Sequence, residues 1–476
     1  MTFDSLVTKI DEYVWGWPLI ILILATGVYL TFRTGLVQVF HLPRALKYMV
    51  KNEDGGKGEI TSFGALCTAL SATIGTGNIV GVATAISTGG PGALFWMLVA
   101  AFFGMATKYS EGLLAIKYRV DKGDGHFIGG PFYYIENGMG KKFKWLSKLF
   151  AFFGVGAGLL GIGTITQIHG ITSAAQNVFD PEKTHILFSI GENSYTYTLV
   201  IVGAIVTLCA ALVIIGGIKR IAKVSEVVVP FMAITYVVFV LIILVCNVSQ
   251  IPSAFSLIIR SAFNVNAVGG AIIGLTLKAA MQKGIGRGIF SNEAGLGSAP
   301  IAAAAAQTNE PARQGLVTMT GTFIDTVIIC TMTGLSIVIT GAWNPQVTGK
   351  ALEGVEITSY AWQTGLPFNE GFSSAVLMIC LMFFAFTTIL GWNYYFEKCL
   401  EYLTNSNQTL LVIFRWVYIA AVLIGPYLTI SAVWGIADIL NALMALPNLV
   451  ALIALAGVVS KETSSYVKRL KSHQIK

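Results

Sequence analysis

Residues 71–81 of this 476-residue chain read SATIGTGNIVG, and they interrupt an apolar run long enough to cross a membrane. Three glycines, two threonines and an asparagine fall near the middle of that run. Glycine costs about 1 kcal/mol relative to alanine inside a helix, and unwound backbone at membrane depth is tolerated only within protein or beside a cavity. The stretch therefore predicts a helix that breaks in mid-membrane, with close packing of helices through small residues as the alternative.

The composition around this stretch is that of a membrane protein. Hydrophobic residues make up 55% of the chain, charged residues only 12%, and the mean hydropathy is +0.72. These values exclude a water-soluble fold, and the sequence lacks the short alternating segments of a membrane β-barrel. The six cysteines show no CxxC spacing, so neither a disulfide framework nor a zinc site is predicted. We expect an all-α polytopic membrane protein.

Apolar runs of about 20 residues, enough to cross roughly 30 Å of hydrocarbon as helix, recur along the whole chain. Most Lys and Arg residues between them fall on one side of the expected membrane, which the positive-inside rule assigns to the cytoplasm. This predicts a cell (inner) membrane protein with its N-terminus outside and its C-terminus inside. The expected spans lie near residues 16–32, 61–86, 91–116, 149–178, 197–217, 225–247, 266–290, 314–341, 372–400, 410–430 and 433–459.

A second glycine-rich interruption, VGGAIIG at residues 268–274, falls in the seventh span. The two interruptions open two sets of five spans, and because five is odd, the second set must be inverted relative to the first. Such inverted repeats with broken helices are typical of secondary transporters that bind substrate near the midplane. The expected units are a peripheral helix and linker (1–60), two repeats (61–247 and 248–459) and a basic tail (460–476).

The ends of broken helices suggest what such a site binds. Free N–H groups attract a carboxylate and free C=O groups attract a cation, and an α-amino acid carries both charges. Sodium, a hard cation, needs oxygen ligands, and Thr387 and Thr388 offer two neighbouring hydroxyls in the ninth span. The alternative for these threonines is a hydrogen bond to the preceding helical turn.

Several segments closely resemble the alanine or glycine:cation symporter family. The resemblance covers nearly the whole chain, and its most specific segment is residues 287–300. It implies sodium-driven symport of alanine or glycine, with glutamine a substrate of some members, on a LeuT-like five-plus-five fold preceded here by one extra helix. The segments are GTGNIVGVA (75–83), GGPGALFWM (89–97), GMATKY (104–109), GGPFYYI (129–135) and RGIFSNEAGLGSAP (287–300).

The resemblance also implies site residues. A sodium ion would be bound by the backbone carbonyls of Ser71 and Ile74, the carbonyl near Phe384, and the hydroxyls of Thr387 and Thr388. Gln167 is the expected polar contact of the fourth span, with a helix-tying hydrogen bond as its alternative, and Trp392 would wall the pocket unless it only packs. The full expected substrate set is Thr73, Gly75, Thr76, Gly77, Asn78, Gln167, Gly269, Gly270, Gly274 and Trp392.

Ionisable residues at membrane depth are functional candidates. Lys108 and Glu111 are expected to pair near the inner end of the third span, and Glu293 is expected to latch an inner gate with Lys283 or Arg287. Residues 291–300 would form the inner loop that carries Glu293.

The remaining polar residues have separate expectations. Asp325 is either a buried functional carboxylate or a tie between helices, Asp438 is expected to be solvated, and His169 to make a structural hydrogen bond. The basic tail is expected to rest on anionic headgroups.

The sequence predicts a transporter that is not an enzyme, because no HExxH, nucleophile-elbow or phosphate-loop motif is present. We expect sodium-coupled import of a small neutral amino acid by alternating access, with sodium as the co-transported ion. The expected partners are the amino acid and the lipid bilayer, without nucleic acid or an obligate protein. The alternatives are proton coupling through Asp325 and a passive channel.

Overall fold

The computed structural model describes residues 3–53, 55–123, 125–190, 193–263, 277–428 and 430–472. Within these residues, eight helical segments are long and apolar enough to cross a membrane. The pair Ser62–Thr73 and Gly77–Gly89, bent by 54°, makes a ninth. Trp17–Arg33 is apolar but has 17 residues, a rise of about 25 Å. The chain is a multi-pass helical membrane protein, as predicted.

The helices follow the expected spans closely, and shorter helices lie between them. In the first half of the chain they are α1 (Phe3–Val14), α2 (Trp17–Arg33), α3 (Val37–Phe40), α4 (Leu42–Val50), α5 (Ser62–Thr73), α6 (Val82–Gly89), α7 (Gly92–Lys117), α8 (Pro131–Tyr133), α9 (Lys144–Leu160), α10 (Ile165–Phe179), α11 (Tyr197–Ile214) and α12 (Gly217–Cys246). In the second half they are α13 (Ile251–Phe263), α14 (Leu277–Asn292), α15 (Ala299–Ala303), α16 (Pro311–Thr322), α17 (Thr331–Thr340), α18 (Pro345–Thr348), α19 (Val355–Gly365), α20 (Glu370–Leu403), α21 (Gln408–Ile424), α22 (Ile430–Ala454) and α23 (Ala456–Lys471).

Two antiparallel hairpins lie at opposite ends of the bundle. Strands β1 (Val120–Asp121) and β2 (Phe127–Ile128) pair Val120 with Ile128, and β3 (Ile186–Ile190) and β4 (Asn193–Thr196) pair Ile186 with Thr196. The β1–β2 hairpin shares one end of the bundle with α4, residues 304–310 and the last turn of α20. We call this the basic end, because the loops with most Lys and Arg residues lie there.

Small residues let the central helices approach closely. A methyl group at Gly284 of α14 would lie 2.2 Å from the backbone oxygen of Ala93 on α7, and one at Gly315 of α16 would lie 2.6 Å from the backbone oxygen of Tyr109. Real carbon–oxygen contacts are longer, so only glycine fits at these crossings. Close packing of backbones through glycine is typical of membrane helices, and it places α14 and α16 against α7.

The fourth span, found as Lys141–Phe179, contains a break that the sequence analysis did not predict. Residues 161–164 separate α9 from α10 without helical structure. Two neighbouring helices reach into this gap: a methyl group at Gly161 would lie 2.7 Å from Cβ of Ala437, and one at Gly163 would lie 2.5 Å from Cβ of Trp392. Packing against α22 and α20 thus favours a break that the apolar pattern alone did not indicate.

The structure describes the seventh span from Leu277 onward. The expected break at residues 268–274 lies outside the described residues, and α14 continues through Gly284, Gly286 and Gly288 as regular helix. The chain leaves the helix only after Asn292, and α15 begins at Ala299. Residues 291–300, expected as an inner loop, are all buried, so this second break lies inside the protein.

The basic tail packs on protein through one face. Within α23, Thr463 bonds the hydroxyl of Tyr109 at 3.0 Å, and Tyr466 donates to the hydroxyl of Tyr48 at 3.0 Å. Arg469 pairs with Glu310 at 2.7 Å. The hydrophobic face and these bonds hold α23 against the bundle, which the net charge of the tail did not predict.

Two glycines of α14 test the close packing. We expect Gly284→Ala to lower the free energy of unfolding by about 1–3 kcal/mol, because the added methyl group overpacks the contact with Ala93. Gly286→Ala is the matched control, since no atom lies within 4 Å of the added methyl group, and it should leave stability unchanged or raise it by up to about 1 kcal/mol. Thermal unfolding in detergent measures both, and equal melting temperatures would refute the packing argument.

Candidate functional site

The first break is formed by the stretch SATIGTGNIVG, residues 71–81. α5 ends at Thr73, residues 74–76 leave the helix, and a π-helical turn, Gly77–Gly81, leads into α6. The side-chain oxygen of Asn78 accepts a hydrogen bond from the backbone N–H of Gly75 at 2.9 Å. This bond occupies a donor that a continuous helix would have used. The predicted break in the second span is confirmed.

The same Asn78 side chain connects this break to other elements. Its Nδ2 donates to Oδ1 of Asp325 at 2.7 Å. Asp325 is fully buried and lies in a π-helical turn, Phe323–Cys330, a feature often found at functional sites. Its Oδ2 accepts hydrogen bonds from Ser291 at 3.0 Å and from Thr326 at 2.7 Å. Asp325 therefore joins the first break to the end of α14.

The second break comprises residues 293–298. Glu293, Gly295 and Gly297 have φ angles of +56°, +89° and +82°, a region that glycine adopts readily and other residues rarely. The carboxylate of Glu293 accepts from Nε1 of Trp392 at 3.0 Å and from the hydroxyl of Ser298. The bond from Trp392 holds the second break against α20, and the bond from Ser298 joins its two ends.

Trp392 and Glu293 have other partners than those predicted. Trp392 is fully buried and directs its N–H at Glu293, so its polar edge serves the second break. Arg287, expected beside Glu293, lies 3.7 Å from Asp438. Asp438, expected to be solvated, is 8% exposed. Because α14 is helical up to Asn292, Arg287 lies more than a turn from Glu293, on the side of the break away from the basic end.

The two breaks lie side by side, and a cavity of about 230 Å³ opens next to them. A methyl group at Gly77 would be 3.5 Å from Cα of Ser291, an ordinary contact, and one at Gly81 would meet nothing within 4 Å. Close packing therefore does not account for these two glycines, which border the cavity instead. The lining residues are Thr76, Gly77, Val80, Gly81, Thr84, Arg287 and Phe290.

Four of the five residues expected to bind sodium meet at the first break. Both threonines make the hydrogen bond to the preceding helical turn that was their alternative: Thr387 donates to Phe383 O and Phe384 O at 3.0 Å, and Thr388 to Phe384 O at 2.9 Å. The Thr388 hydroxyl also lies 3.4 Å from the carbonyl oxygen of Ile74. For Ser71 the expected ligand is the backbone carbonyl, whose place in a sodium site stays a prediction; its hydroxyl donates to Thr68 O at 2.7 Å. A methyl group at Gly75 would lie 2.5 Å from the Thr388 hydroxyl, so glycine is required for this approach.

Gln167 of α10 also reaches the first break. Its Oε1 lies 3.5 Å from the backbone nitrogen of Thr76, and its Nε2 donates to the carbonyl of Ile162 at 3.0 Å. His169 contacts Ser173 one helical turn away, at 3.2 Å. Of the expected substrate residues, Gly269, Gly270 and Gly274 lie outside the described residues, and Thr73 bonds back to Ala69 O and Leu70 O at 3.3 Å.

The expected pairing of Lys108 with Glu111 is not found among the ion pairs of described residues. Glu111 instead accepts from Asn448 Nδ2 at 2.7 Å and from the backbone N–H of Gly295 at 3.2 Å. Lys108 is 2% exposed. Glu111 is thus held by an amide and a backbone N–H, and it joins α7 to the second break.

Sequence reasoning missed the contribution of α22. Nδ2 of Asn448 also donates to the carbonyl of Gly295 at 2.9 Å, so one amide group joins Glu111 to the second break. Asn441, seven residues earlier and on the same helical face, is fully buried, and its amide has no hydrogen-bond partner among the described residues. The signal was present, because an asparagine within an apolar span is costly unless it has a role.

Comparisons with known proteins agree along the whole chain. Residues 1–476 match the family described as the sodium:alanine symporter family. An uncharacterized transporter of Haemophilus influenzae is 52% identical over 471 residues, 99% of this chain and 98% of the relative. The sodium/alanine symporter AgcS of Methanococcus maripaludis is 44% identical over 471 residues, 98% of each chain.

One solved structure gives an independent comparison of the fold. The crystal structure of MhsT in complex with L-phenylalanine matches with a TM-score of 0.54 at 12% identity, covering 86% of this chain and 99% of that chain. Identity this low bears on the fold alone. The LeuT-like fold is supported, whereas the count of eleven spans and the inverted repeat stay predictions.

The bond between Trp392 and Glu293 can be tested by removing its donor. Trp392→Phe leaves a buried carboxylate oxygen without that partner, so we expect a loss of about 1–3 kcal/mol in stability. The loss should shrink when Glu293→Gln is also present, since a neutral amide is less costly to leave unpaired. Chemical denaturation measures the free energy of unfolding of each variant. Trp416→Phe is the control, because that ring is 56% exposed. Additive losses in the double variant would contradict the contact.

Proposed function

We propose that this chain, which belongs to the sodium:alanine symporter family, imports a small neutral amino acid together with sodium. Alanine and glycine are the candidate substrates, with glutamine as a further candidate. The chain is a non-enzymatic transporter by family. The proposal adds the coupling ion, the substrate and the direction of transport.

The observation that carries the proposal is the contact of Thr388 with the carbonyl of Ile74 across the first break, at 3.4 Å. Together with Phe384 O and the Thr387 hydroxyl it gathers neutral oxygen atoms from two helices. A hydroxyl oxygen keeps lone pairs while its hydrogen points elsewhere, so both threonines can accept a cation. Neutral oxygen ligands suit a hard monovalent cation such as sodium, because the protein then need not bury a formal charge of its own.

The neighbouring cavity suits a zwitterion of modest size. At the first break the N–H of Ile74 bonds to Leu70 O and that of Gly75 bonds to Asn78. Among the described residues, the N–H of Thr76 has only the long contact with Gln167, so it is the donor that a substrate carboxylate would use. Gln167, whose amide both donates and accepts, lies 3.5 Å from Thr76 N and suits either charge of an amino acid. Thr76 and Gly77 line the cavity, and Gly75, next to them in the chain, approaches the Thr388 hydroxyl, so substrate and sodium would bind side by side and favour each other electrostatically.

We place the basic end in the cytoplasm, following the positive-inside rule. The cavity beside Thr76 and Phe290 then opens toward the outside, and Arg287 and Asp438 flank its approach. Sodium and substrate would bind from that side and leave through the basic end after the helices rearrange. Sodium moving down a membrane potential contributes about 2.3 kcal/mol per charge per 100 mV.

Proton coupling is the second candidate, and Asp325 is the observation that favours it. This buried carboxylate bonds to Asn78 at the first break and to Ser291 before the second, so a change in its protonation would act on both. We rank it second because the oxygen cluster at Thr388 offers a cation site that proton coupling would leave without a role.

The sodium ligands can be tested by removing one hydroxyl. We expect Thr388→Ala to raise the sodium concentration for half-maximal alanine uptake by about tenfold or more, the cost of losing about 1.4 kcal/mol of ion binding. Thr340→Ala is the matched control, since Thr340 makes the same kind of bond to a preceding carbonyl, Ser336 O at 2.7 Å, on α17. Equal sodium dependence in the two variants would sink the proposed cation site.

The coupling ion itself is decided with the unmodified protein in proteoliposomes. We expect labelled alanine to accumulate under an inward sodium gradient, with no accumulation when a proton gradient is imposed in sodium-free buffer. Glycine and glutamine are measured alongside to rank substrates. Accumulation under the proton gradient alone would overturn sodium coupling and move the role to Asp325.

A further inference from the structure

A histidine at the basic end joins two carboxylates from different elements. His126 Nδ1 lies 3.3 Å from Oε1 of Glu59, and its Nε2 lies 3.0 Å from Oε1 of Glu401. The same Glu59 oxygen accepts the backbone N–H of Phe127 at 2.9 Å, and Lys398 donates to Oε2 of Glu401 at 3.1 Å. The carboxylates are 7% and 8% exposed, whereas the His126 ring is 39% exposed.

The Glu59 side of this bridge belongs to a tightly bonded unit. Glu59 N donates to Ala305 O at 2.8 Å, and Gln307 N donates to Ile60 O at 2.8 Å, so the chain before α5 is paired with the chain after α15. The guanidinium of Arg119, just beyond α7, donates at 2.7–2.9 Å to the carbonyls of Lys57, Ala304, Ala306 and Thr308. These bonds tie the basic-end halves of both broken helices to α7.

The Glu401 side belongs to α20, which also carries Thr387 and Thr388. Helix rise places Glu401 about 20 Å along α20 from Thr388. Between these two levels α5 lies directly on α20, and a methyl group at Gly391 would be 2.6 Å from Oγ of Ser71. A path from the site to the basic end between these helices requires α5 to separate from α20.

We propose that His126 is the latch of the gate at the basic end, bridging Glu59 and Glu401 so that α5 and α15 stay against α20 until the site opens to that side. This inference rests on the proposed function, since a gate has meaning only in a transporter. It assigns the latch to residues other than Lys108, Glu111 and Glu293. His126 would act as a positioning residue, without touching substrate or ion.

The charges around His126 give the latch a pH dependence. Glu59 and Glu401 face its ring, Lys398 lies 3.4 Å from Nε2, and the Lys398 ammonium also lies over the ring of Tyr394. The hydrogen bond with Glu401, and then that with Glu59, raises the pKa of His126 from 6.5 to about 9. Separation from either carboxylate would lower that pKa toward its ordinary value.

The sign of the effect follows from linkage. The closed latch binds the proton more tightly than the open one, so the proton favours closure fully below about pH 6.5, and this contribution is lost as the pH rises through about 9. Because the ring is more than a third exposed, solvent screens part of the interaction. We therefore expect protonation of His126 to change the equilibrium constant for opening of the gate by about fivefold, which is less than the full pKa shift of His126 would give.

A native cysteine reports the opening. Cys67 of α5 is 1% exposed, so N-ethylmaleimide alkylates it only when α5 moves, and peptide mass spectrometry gives its rate in detergent without sodium or substrate. Rates are expressed relative to the unmodified chain at each pH, which cancels the ionisation of the thiol. We expect His126→Gln to alkylate about five times faster at pH 6.5 and at the same rate at pH 9.5. His126→Arg, which keeps a charge, should stay near the unmodified rate at pH 6.5 and fall below it at pH 9.5.

Further variants separate the latch from simple loss of folding. Glu401→Gln should resemble His126→Gln, and the double variant should be no faster than either, because the two changes remove one contact. A double variant whose rate multiplies the single effects, or an unchanged rate in His126→Gln at pH 6.5, overturns the latch. Sodium-driven alanine uptake by the unmodified chain is measured in a separate experiment. If no uptake is found, the proposed function is refuted, whereas the latch is still judged by the alkylation rates alone.

Discussion

The side-chain amide of Asn78 is the contact on which the site depends. Its oxygen accepts the freed N–H of Gly75, and its nitrogen donates to Asp325. Without both bonds the break would expose polar backbone at membrane depth, at a cost of several kcal/mol per group. Asn78 therefore makes an interrupted helix tolerable and couples it to the π-helical turn and to α14.

The second break is stabilised by a different chemistry. Its carboxylate bonds to Trp392 and Ser298, and its peptide groups bond to Asn448 and Glu111. These partners come from α20, α22 and α7, so the irregular segment is enclosed by the bundle on several sides. A rearrangement of any of these helices would alter the break, and this links the site to motions of the surrounding helices.

Much of the fold was predictable because membrane crossings leave a strong signal. The run of apolar residues located α7, α11 and α20 within a few residues, and the SATIGTGNIVG stretch identified the first break because glycine, threonine and asparagine there oppose a continuous helix. Thr388 and Gln167 were found near that break, as the family resemblance implied. The spans and the first break depend on residues close together in sequence, whereas the approach of Thr388 and Gln167 to that break came from the family resemblance.

The features that the sequence did not predict have a common physical origin in contacts between distant helices. The breaks at residues 161–164 and 293–298 depend on neighbours such as Trp392, Ala437 and Asn448, which no sequence window contains. We expected Arg287 beside Glu293. Because α14 continues to Asn292 before the second break begins, Arg287 instead lies toward the end of the bundle away from the basic end, beside Asp438. Likewise the His126 bridge joins residues 67 and 275 positions apart in the chain.

The central claim is that the first break binds sodium and an amino acid together, and reciprocal binding tests it most directly. Equilibrium binding of labelled alanine to the purified protein is measured across sodium concentrations, and sodium binding is measured across alanine concentrations. The account predicts that each ligand tightens the other by the same factor, about tenfold, because coupling between sites is reciprocal. Alanine affinity that is independent of sodium would contradict it.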